Sequence, residues 1–416
     1  MEWAWRKGKG HGQLHGANGL EAGFISVYER AVVLKVILGA LAVLSFLLLL
    51  WQWLVALRFP LHRRIADQEF APGVTLLKSL KGVDDSTEEC LRSWFVQSYS
   101  VPVQILFGVA SAEDPVCNVV RKLLKEFPNV DAELKVCGPL AGTNAKVSKL
   151  IEMERLAKHE VLIISDADVR VPQDLLRNVV VPLRDEKVGL VNCFYRLANS
   201  STTAMQWEAI AINADFWSQV LQSQSLKPLD FALGAVMATR RARLKEIGGF
   251  EALKDCLADD YQLGNRIAQR GHKIALCPVV VECWSSPMNW AAVWKHQLRW
   301  ARTIRVCQPV PYFFSILSNP TLWPLLWLMV NPTSRVFAVS CGFGVFRVLA
   351  ALNLQARLTR MRPSLANICL VPVKDLLQTA IWFCAFAGNR VEWRGRRMRL
   401  RRDGTLERLD SAPVVK

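Results

Sequence analysis

The 416 residues contain no CxxC pair, and the eleven cysteines (Cys90, Cys117, Cys137, Cys193, Cys256, Cys277, Cys283, Cys307, Cys341, Cys369 and Cys384) are odd in number and scattered. Neither a zinc site built on paired cysteines nor a disulfide framework is suggested. Reduced, mostly buried thiols and a reducing compartment are expected for the globular part. Acidic residues are scarce, 36 against 52 Lys and Arg, which leaves a net charge of +16. No zinc finger, basic zipper or RNP-like motif accompanies that excess, so no nucleic-acid partner is expected. Anionic lipid and the basic cytoplasmic loops of a membrane protein remain as its explanations. Charged residues make up 21% and apolar ones 51% of the chain, which excludes disorder. Internal repeats and low-complexity tracts are missing. The mean hydropathy of +0.18 lies between soluble enzymes and polytopic transporters, and implies a globular body with a few membrane helices.

Residues 1–35 are Gly- and charge-rich and read as a loose segment. Val36–Leu57 is a run of 22 uncharged residues, about 33 Å as a helix, enough to cross a bilayer. It is too long for a cleaved signal peptide, and no small-residue cleavage site follows. Trp51 and Trp53 suit an interface. Arg58, Arg63 and Arg64 place its C-terminal end on the cytoplasmic side, although Arg6, Lys7, Lys9 and Arg30 make the other flank basic too.

Between residues 70 and 305 the pattern becomes that of a globular domain. Strands are expected at Val74–Lys78, Val103–Val109, Ala132–Val136, Glu160–Ile164 and Val188–Cys193. Helices are expected from a Ser86/Glu89 capping box to Gln97, from Asp114-Pro115 to Phe127, and over Ala145–Ala157. This alternation predicts an α/β domain with a doubly wound, mostly parallel sheet. Ligands then bind beyond the carboxyl ends of the strands. Thr202–Leu221 reads equally as core or as a lipid-facing helix.

Residues 306–389 read as a cluster of three further membrane segments, the second interrupted by Arg347 and the third by Lys374 and Asp375. Charges at such depth pair or face a polar cavity, so Asp375 is expected to pair with Arg347 or Lys374. The competing reading makes Lys374-Asp375 part of a loop in a segment that does not cross. Arg357, Arg360 and Arg362 place their loop in the cytoplasm. Four crossings from an outside N-terminus would leave the tail, residues 390–416, outside, yet it carries Arg390, Arg394, Arg396, Arg397, Arg399, Arg401 and Arg402. Either one segment is re-entrant or interfacial, or the charge bias fails.

Acidic residues gather where chemistry is expected: Asp84 after the first strand, Asp166 and Asp168 after the fourth, and Asp259-Asp260 in LADDYQLG. Residues i and i+2 at a strand end point to one side. Two such carboxylates suit a hard divalent cation, Mg or Mn, that holds a diphosphate. For the tripeptide alone, which is common, a solvated turn after a strand is the preferred explanation. Asp259-Asp260 also reads as a helix N-terminus favoured by its dipole, and a like-charged neighbour raises one pKa of the pair. Trp284, Trp290, Trp294 and Trp300 suit a membrane boundary.

The ordered series Asp84, Asp166-Ala-Asp168, Asp260 and His296-Gln-Leu-Arg299-Trp300 resembles the D, DxD, D, (Q/R)xxRW pattern of family 2-like inverting glycosyltransferases of GT-A fold. The stretches LLKSLKGVD (76–84), GTNAKVSKL (142–150), EKVGLVNC (186–193), ADDYQLGNRIAQRG (258–271), RWARTIR (299–305) and WRGRRMRL (393–400) narrow the resemblance to the ceramide glucosyltransferase-like family. The HxLRWARTxR form is similar to its bacterial branch, which includes hopanoid-associated enzymes. The resemblance implies a UDP-sugar donor, a membrane lipid acceptor and an integral protein of the bacterial inner membrane whose catalytic domain faces the cytoplasm. It implies that Asp84 contacts the uracil, Asp166 lies by the ribose and diphosphate, and Asp168 holds the metal. Asp260 would be the general base, Asn144 and Lys146 would contact the donor, and Arg299 and Trp300 would border acceptor and diphosphate. His296 stands where many relatives carry Gln or Arg, and reads equally as a ligand contact or a structural histidine. The full DxD, which animal relatives often lack, implies ordinary metal dependence. A processive polysaccharide synthase and a non-catalytic membrane scaffold are the alternatives. The Gln usual at the first position of the QxxRW motif and the larger bundle of a synthase are missing, and intact acidic positions argue against a scaffold.

Overall fold

The computed structural model describes residues 17–65, 69–364, 366–393 and 396–409. Most of the glycine-rich N-terminal run, the end of the tail and Arg394 lie outside the described residues.

The chain opens with α1 (Ala17–Arg58), whose part from Glu29 to Arg58 is long and apolar enough to span a membrane. Then come β1 (Val74–Ser79), α2 (Thr87–Phe95), β2 (Val103–Val109), α3 (Val116–Glu126), β3 (Asp131–Val136), α4 (Ala145–Leu156), β4 (Val161–Ser165), β5 (Val169–Arg170), α5 (Leu175–Val180) and β6 (Val188–Leu197). The expected strands and helices are therefore present, with ends displaced by a few residues at most. Eight strands form one sheet in the order β3-β2-β1-β4-β7-β6-β8-β5, with β7 at Val236–Arg240 and β8 at Lys273–Cys283. It is GT-A-like, mixed and mostly parallel: β1 pairs in parallel with β2 and β4, and β6 with β8. β7 runs antiparallel to both its neighbours, which the strand–helix alternation did not anticipate. β1 and β4 are buried along their whole lengths, as the centre of a doubly covered sheet requires. Because β1 leads to β2 and β3 on one side and meets β4 on the other, the topological switch lies at the ends of β1 and β4.

One face of the sheet packs on α2, α3 and α5 through Trp94, Phe107, Val120, Leu176 and their neighbours. The other face packs on α4 and on α6 (Thr203–Ile210) and α7 (Trp217–Leu226), and this core continues into Ala56, Ala351, Leu354 and Val371 of the apolar helices. The uncertain stretch 202–221 is thus buried between sheet and bundle, with a π-helical segment, Ala211–Phe216, joining α6 to α7. The domain is completed by α8 (Arg241–Glu246), α9 (Asp259–Gln269) and α10 (Trp290–Cys307).

Beyond α10 come α11 (Pro309–Phe314), α12 (Leu322–Val330), α13 (Ser334–Thr359) and α14 (Ala366–Phe386). Three helices, including α1, are long and apolar enough to cross a membrane, or four if the bent pair Pro309–Ser318 and Leu322–Val330 (52°) is one span. α13 runs parallel to α1: Phe46 stacks on Phe343 at 4.4 Å, Trp53 bonds Asn353 at 3.0 Å, and Arg357 reaches the carbonyls of Leu57 and Phe59. The bent pair supplies the antiparallel connection, with Trp327 against Gly39. α14 starts beside the end of α13 and finishes beside the start of α11, where Trp382 donates to the carbonyl of Tyr312 at 2.9 Å. Both its ends therefore face the α/β domain. The tail forms a three-stranded sheet of β9 (Arg390–Trp393), β10 (Arg396–Leu400) and β11 (Leu406–Arg408), and packs on that same domain. The arginine-rich tail thus sits against the α/β domain, while Ile368–Phe386 is itself long and apolar enough to cross a membrane.

The charges inside the bundle pair as expected and find a further partner. Arg347 donates to Asp375 at 2.8 and 2.9 Å and to Asp215 at 2.8 and 2.9 Å. Lys374 contacts both carboxylates, lying 3.4 Å from Asp375. Two cations and two anions, all buried, fasten the π-helical segment of the domain to α13 and α14.

Candidate active site

β1 and β4 end side by side, with Lys78 paired to Ser165 in register, so Asp84 and the Asp166–Asp168 turn emerge at the switch point. The Lys78 ammonium is fully buried beneath this turn. It donates to the carbonyl of Asp166 at 2.7 Å, lies 3.3 Å from the Ser165 hydroxyl and stands 4.9 Å over the Trp94 ring. Burial pushes its pKa down to about 8, against the pull of Cys90, Asp168 and Asp166.

Asp84 acts as a local cap. Its Oδ1 accepts from the Ser86 amide and hydroxyl and from the Thr87 hydroxyl at 2.8–3.1 Å. Ser86 itself makes no side-chain cap bond, so the expected Ser86/Glu89 capping box is replaced by an aspartate-centred turn.

α4 begins at Asn144, whose side chain accepts from the amides of Lys146 and Val147. Its amide group donates to the carbonyl of Cys256 at 2.8 Å and reaches Asp259 at 3.4 Å. Asn144 is completely buried; its polar atoms tie two loops together. Its position lets Lys146 project into the site, where Nζ lies 2.7 Å from Asp166 and 2.9 Å from Asp259. Burial opposes the charge on Lys146, but Asp166, Asp259 and Asp260 outweigh it and hold its pKa above the ordinary value.

Asp259 and Asp260 open α9 and so meet its dipole. Asp259 is buried against Lys146. Asp260 accepts from the Tyr261 amide at 2.8 Å. Burial, then the neighbouring Asp259, push its pKa up to about 6, with Lys146 and the Tyr261 amide resisting. A carboxylate so placed exchanges protons near neutrality, as a general base must. Gly234, in the loop before β7, makes room for it: a β-carbon there would lie 2.6 Å from the Asp260 carboxylate.

α10 carries the remaining expected residues. His296 Nδ1 lies 2.6 Å from Glu208 Oε1, and Gln297 donates to the same oxygen at 2.7 Å. Glu208, on α6, is almost wholly buried. His296 packs against Trp300 at 4.9 Å, and Trp300 against Phe216 at 6.3 Å. The Arg299 carbonyl accepts from Thr303 at 2.8 Å. Tyr195, at the end of β6, connects the two halves. Its phenol is pushed well up by burial, then by Cys283 and by the carboxylates of Asp260, Asp166 and Glu208.

Sequence reasoning did not single out Lys78, Tyr195, Glu208 or Gly234. Lys78 carried one signal, a lysine inside an otherwise apolar strand; the others carried none. The rim is braced from below by the tail: Leu406 donates to the carbonyl of Asp255 at 2.7 Å, Leu257 to that of Gly404 at 3.2 Å, and Asp255 accepts from the amide and hydroxyl of Thr143 at 2.8 and 3.1 Å.

Comparison with known proteins follows this geometry. The profile of a family described as "Glycosyl transferase family 21" matches residues 35–406. Ceramide glucosyltransferase 3 of Caenorhabditis elegans is 26% identical over 53% of this chain and 48% of its own, so the match spans about half the length of that relative. A probable glycosyltransferase of Bacillus subtilis, YdaM, is 27% identical over 59% of each chain. Among solved structures, a mannosyltransferase from Pyrobaculum calidifontis in complex with GDP-Man and Mn2+ shares the fold at 20% identity and a TM-score of 0.51, covering 83% of this chain and 99% of that one.

Proposed function

The chain belongs to glycosyl transferase family 21, and from that footing we propose that it transfers a single sugar, with inversion, from a UDP-sugar to the hydroxyl of a membrane lipid of ceramide or hopanoid type. The observation that carries this reading is Asp260, a carboxylate raised to about 6, set over Gly234 and beside the Lys146–Asp166 pair.

In the proposed step the acceptor hydroxyl gives its proton to Asp260. Its oxygen forms a bond to the anomeric carbon as the bond from that carbon to the diphosphate breaks, and UDP leaves with the electron pair. A single displacement inverts the centre. The base must stand opposite a leaving group whose charge is met. Lys146 sits between Asp166 and Asp259 and keeps the paired carboxylates from repelling the donor. Trp300, His296 and Arg299 stand on the neighbouring helix, where an acceptor would approach from the bundle.

The donor set fits a divalent cation, Mg or Mn. Asp166 has an accessible carboxylate and Asp168 is exposed, and hard oxygen ligands are what such ions take. No group of three or more His, Cys, Asp or Glu residues forms a ready metal site among the described residues. When bound, it would offset charge on the leaving diphosphate.

The lipid acceptor is supported by the union of sheet core and apolar helices, which sets the site beside the bundle. Placing the domain and the arginine-rich tail together in the cytoplasm of a bacterial inner membrane agrees with the charge bias. Incubating membranes with labelled UDP-sugars tests the reading. One organic-soluble product is expected. An insoluble polymer would replace it with a processive synthase, and no turnover with any UDP-sugar would overturn it.

A further inference from the structure

A cavity of about 540 Å³ opens where α10, the end of α14 and strands β9 and β10 meet, lined by Arg302, Ala387, Gly388, Asn389, Arg390 and Arg399. Half of that lining is arginine, and none of it is acidic. Glu392, on β9, is paired to Lys295 at 3.1 Å. Arg302 donates one nitrogen to the carbonyl of Arg390, and its Nε is buried without a partner. Arg305, one turn on, bonds Asn389 and likewise has a buried Nε without a partner. Burial and then Arg305 push the Arg302 pKa down. Clustered, partly desolvated guanidinium groups are costly unless an anion meets them. Gly388, at φ 153°, takes a backbone conformation that L side chains rarely adopt, at the mouth of this cavity.

A soluble anion would satisfy the arginines alone, but the cavity has an apolar rim as well. The Arg305 guanidinium lies 5.6 Å from the Phe386 ring, which packs on Tyr312 at 5.7 Å and Phe313 at 6.3 Å. Phe313, Phe314, Phe383 and Phe386 are all exposed, Phe383 at 62%, and all belong to the apolar segments 309–330 and 366–386. A basic pocket at the foot of apolar helices, edged by exposed aromatic rings, matches a molecule with a phosphate at one end and hydrocarbon at the other.

We propose that this cavity seats the phosphate of an anionic phospholipid, whose acyl chains lie along Phe313, Phe383 and Phe386. The site stands apart from the sugar-transfer reading and holds whichever donor or acceptor the enzyme uses. Guanidinium pairs supply the affinity, and the exposed rings select a lipid over a free anion.

The test uses the full chain in nanodiscs of phosphatidylcholine with and without phosphatidylglycerol, followed by native mass spectrometry of retained lipid. One tightly held phosphatidylglycerol is expected on the unchanged protein. Arg302→Gln with Arg399→Gln should weaken its retention roughly thirtyfold, the order that two charges near a membrane surface carry. The Arg302→Lys, Arg399→Lys pair should keep much of it, and serves if the glutamine pair does not fold. Phe383→Ser, an exposed position, should weaken lipid retention without changing the protein's own affinity for inorganic phosphate. Equal retention by the glutamine pair would overturn the site. Displacement of the lipid by millimolar inorganic phosphate, with no effect of Phe383→Ser, would overturn the lipid and leave a soluble-anion site.

Discussion

Asp260→Asn should stop transfer and stabilise the protein at once. A carboxyl raised from its ordinary value near 4 to about 6 holds about 3 kcal/mol against its charged form. The sign follows from linkage. Below about pH 4 the group is protonated in folded and unfolded chains alike, and no penalty exists. Between about 4 and 6 the penalty grows, and above about 6 it is fully present. Asparagine never carries the charge, so near neutral pH the variant gains up to about 3 kcal/mol, a figure that already includes the opposing attraction of Lys146. Melting in detergent should therefore rise by several degrees near neutrality and converge with the unchanged protein below about pH 4. Turnover should fall roughly 10²–10⁴-fold, as loss of a general base does, while UDP binding stays within a few-fold. The unchanged enzyme should lose kcat/KM as pH drops through about 6. Asp259→Asn should move that limb to lower pH and Lys146→Gln to higher pH, since the first raises and the second lowers the Asp260 pKa. A variant that melts lower near neutrality while keeping turnover would refute the reasoning.

Three further outcomes are expected. Chelation, or Asp168→Ala, should weaken UDP-sugar binding measured by calorimetry; full activity in excess EDTA would count against it. Glu208→Gln removes the carboxylate shared by His296 and Gln297, and should lower kcat roughly tenfold to a hundredfold, the range for hydrogen bonds to a charged group, with UDP affinity kept; unchanged steady-state kinetics would exclude a positioning role. Asp215→Ala leaves Arg347 and Lys374 with one carboxylate and should cost about 3–5 kcal/mol, visible as lost folded protein in detergent, and adding Lys374→Met should recover part of it; if the single change melts like the unchanged protein, the buried quartet does not hold domain to bundle.

Local signals reached far into this fold. The continuous apolar runs of β1 and β4, the alternation with helices, and the acidic residues at strand ends were all legible, because each depends on a few adjacent residues. β7 was not, since five residues between a loop and a short helix carry no period of their own, and only pairing with β4 and β6 makes them a strand. The Asp375–Arg347 pair was legible because a charge in an apolar run demands a partner. Asp215, the third member, sits in a segment that reads as ordinary helix, and its partners lie 132 and 159 residues away. Glu208 and Tyr195 escaped for the same reason: their roles exist only after α6 and β6 are brought against α10 and α9. Asn144 stood out in sequence, but as a donor contact; the fold commits its amide to holding the loops that carry Lys146 and Asp259.

The brace under the active-site rim also bears on how the protein is made. The strand segment Gly404–Leu406 seats against Asp255–Leu257, just ahead of Asp259 and Asp260. Every C-terminal apolar helix is synthesised between those two segments. The strands of the large sheet are complete at Cys283, whereas the loop ahead of Asp259 and Asp260 gains this brace only once Gly404–Leu406 has been synthesised and has folded back.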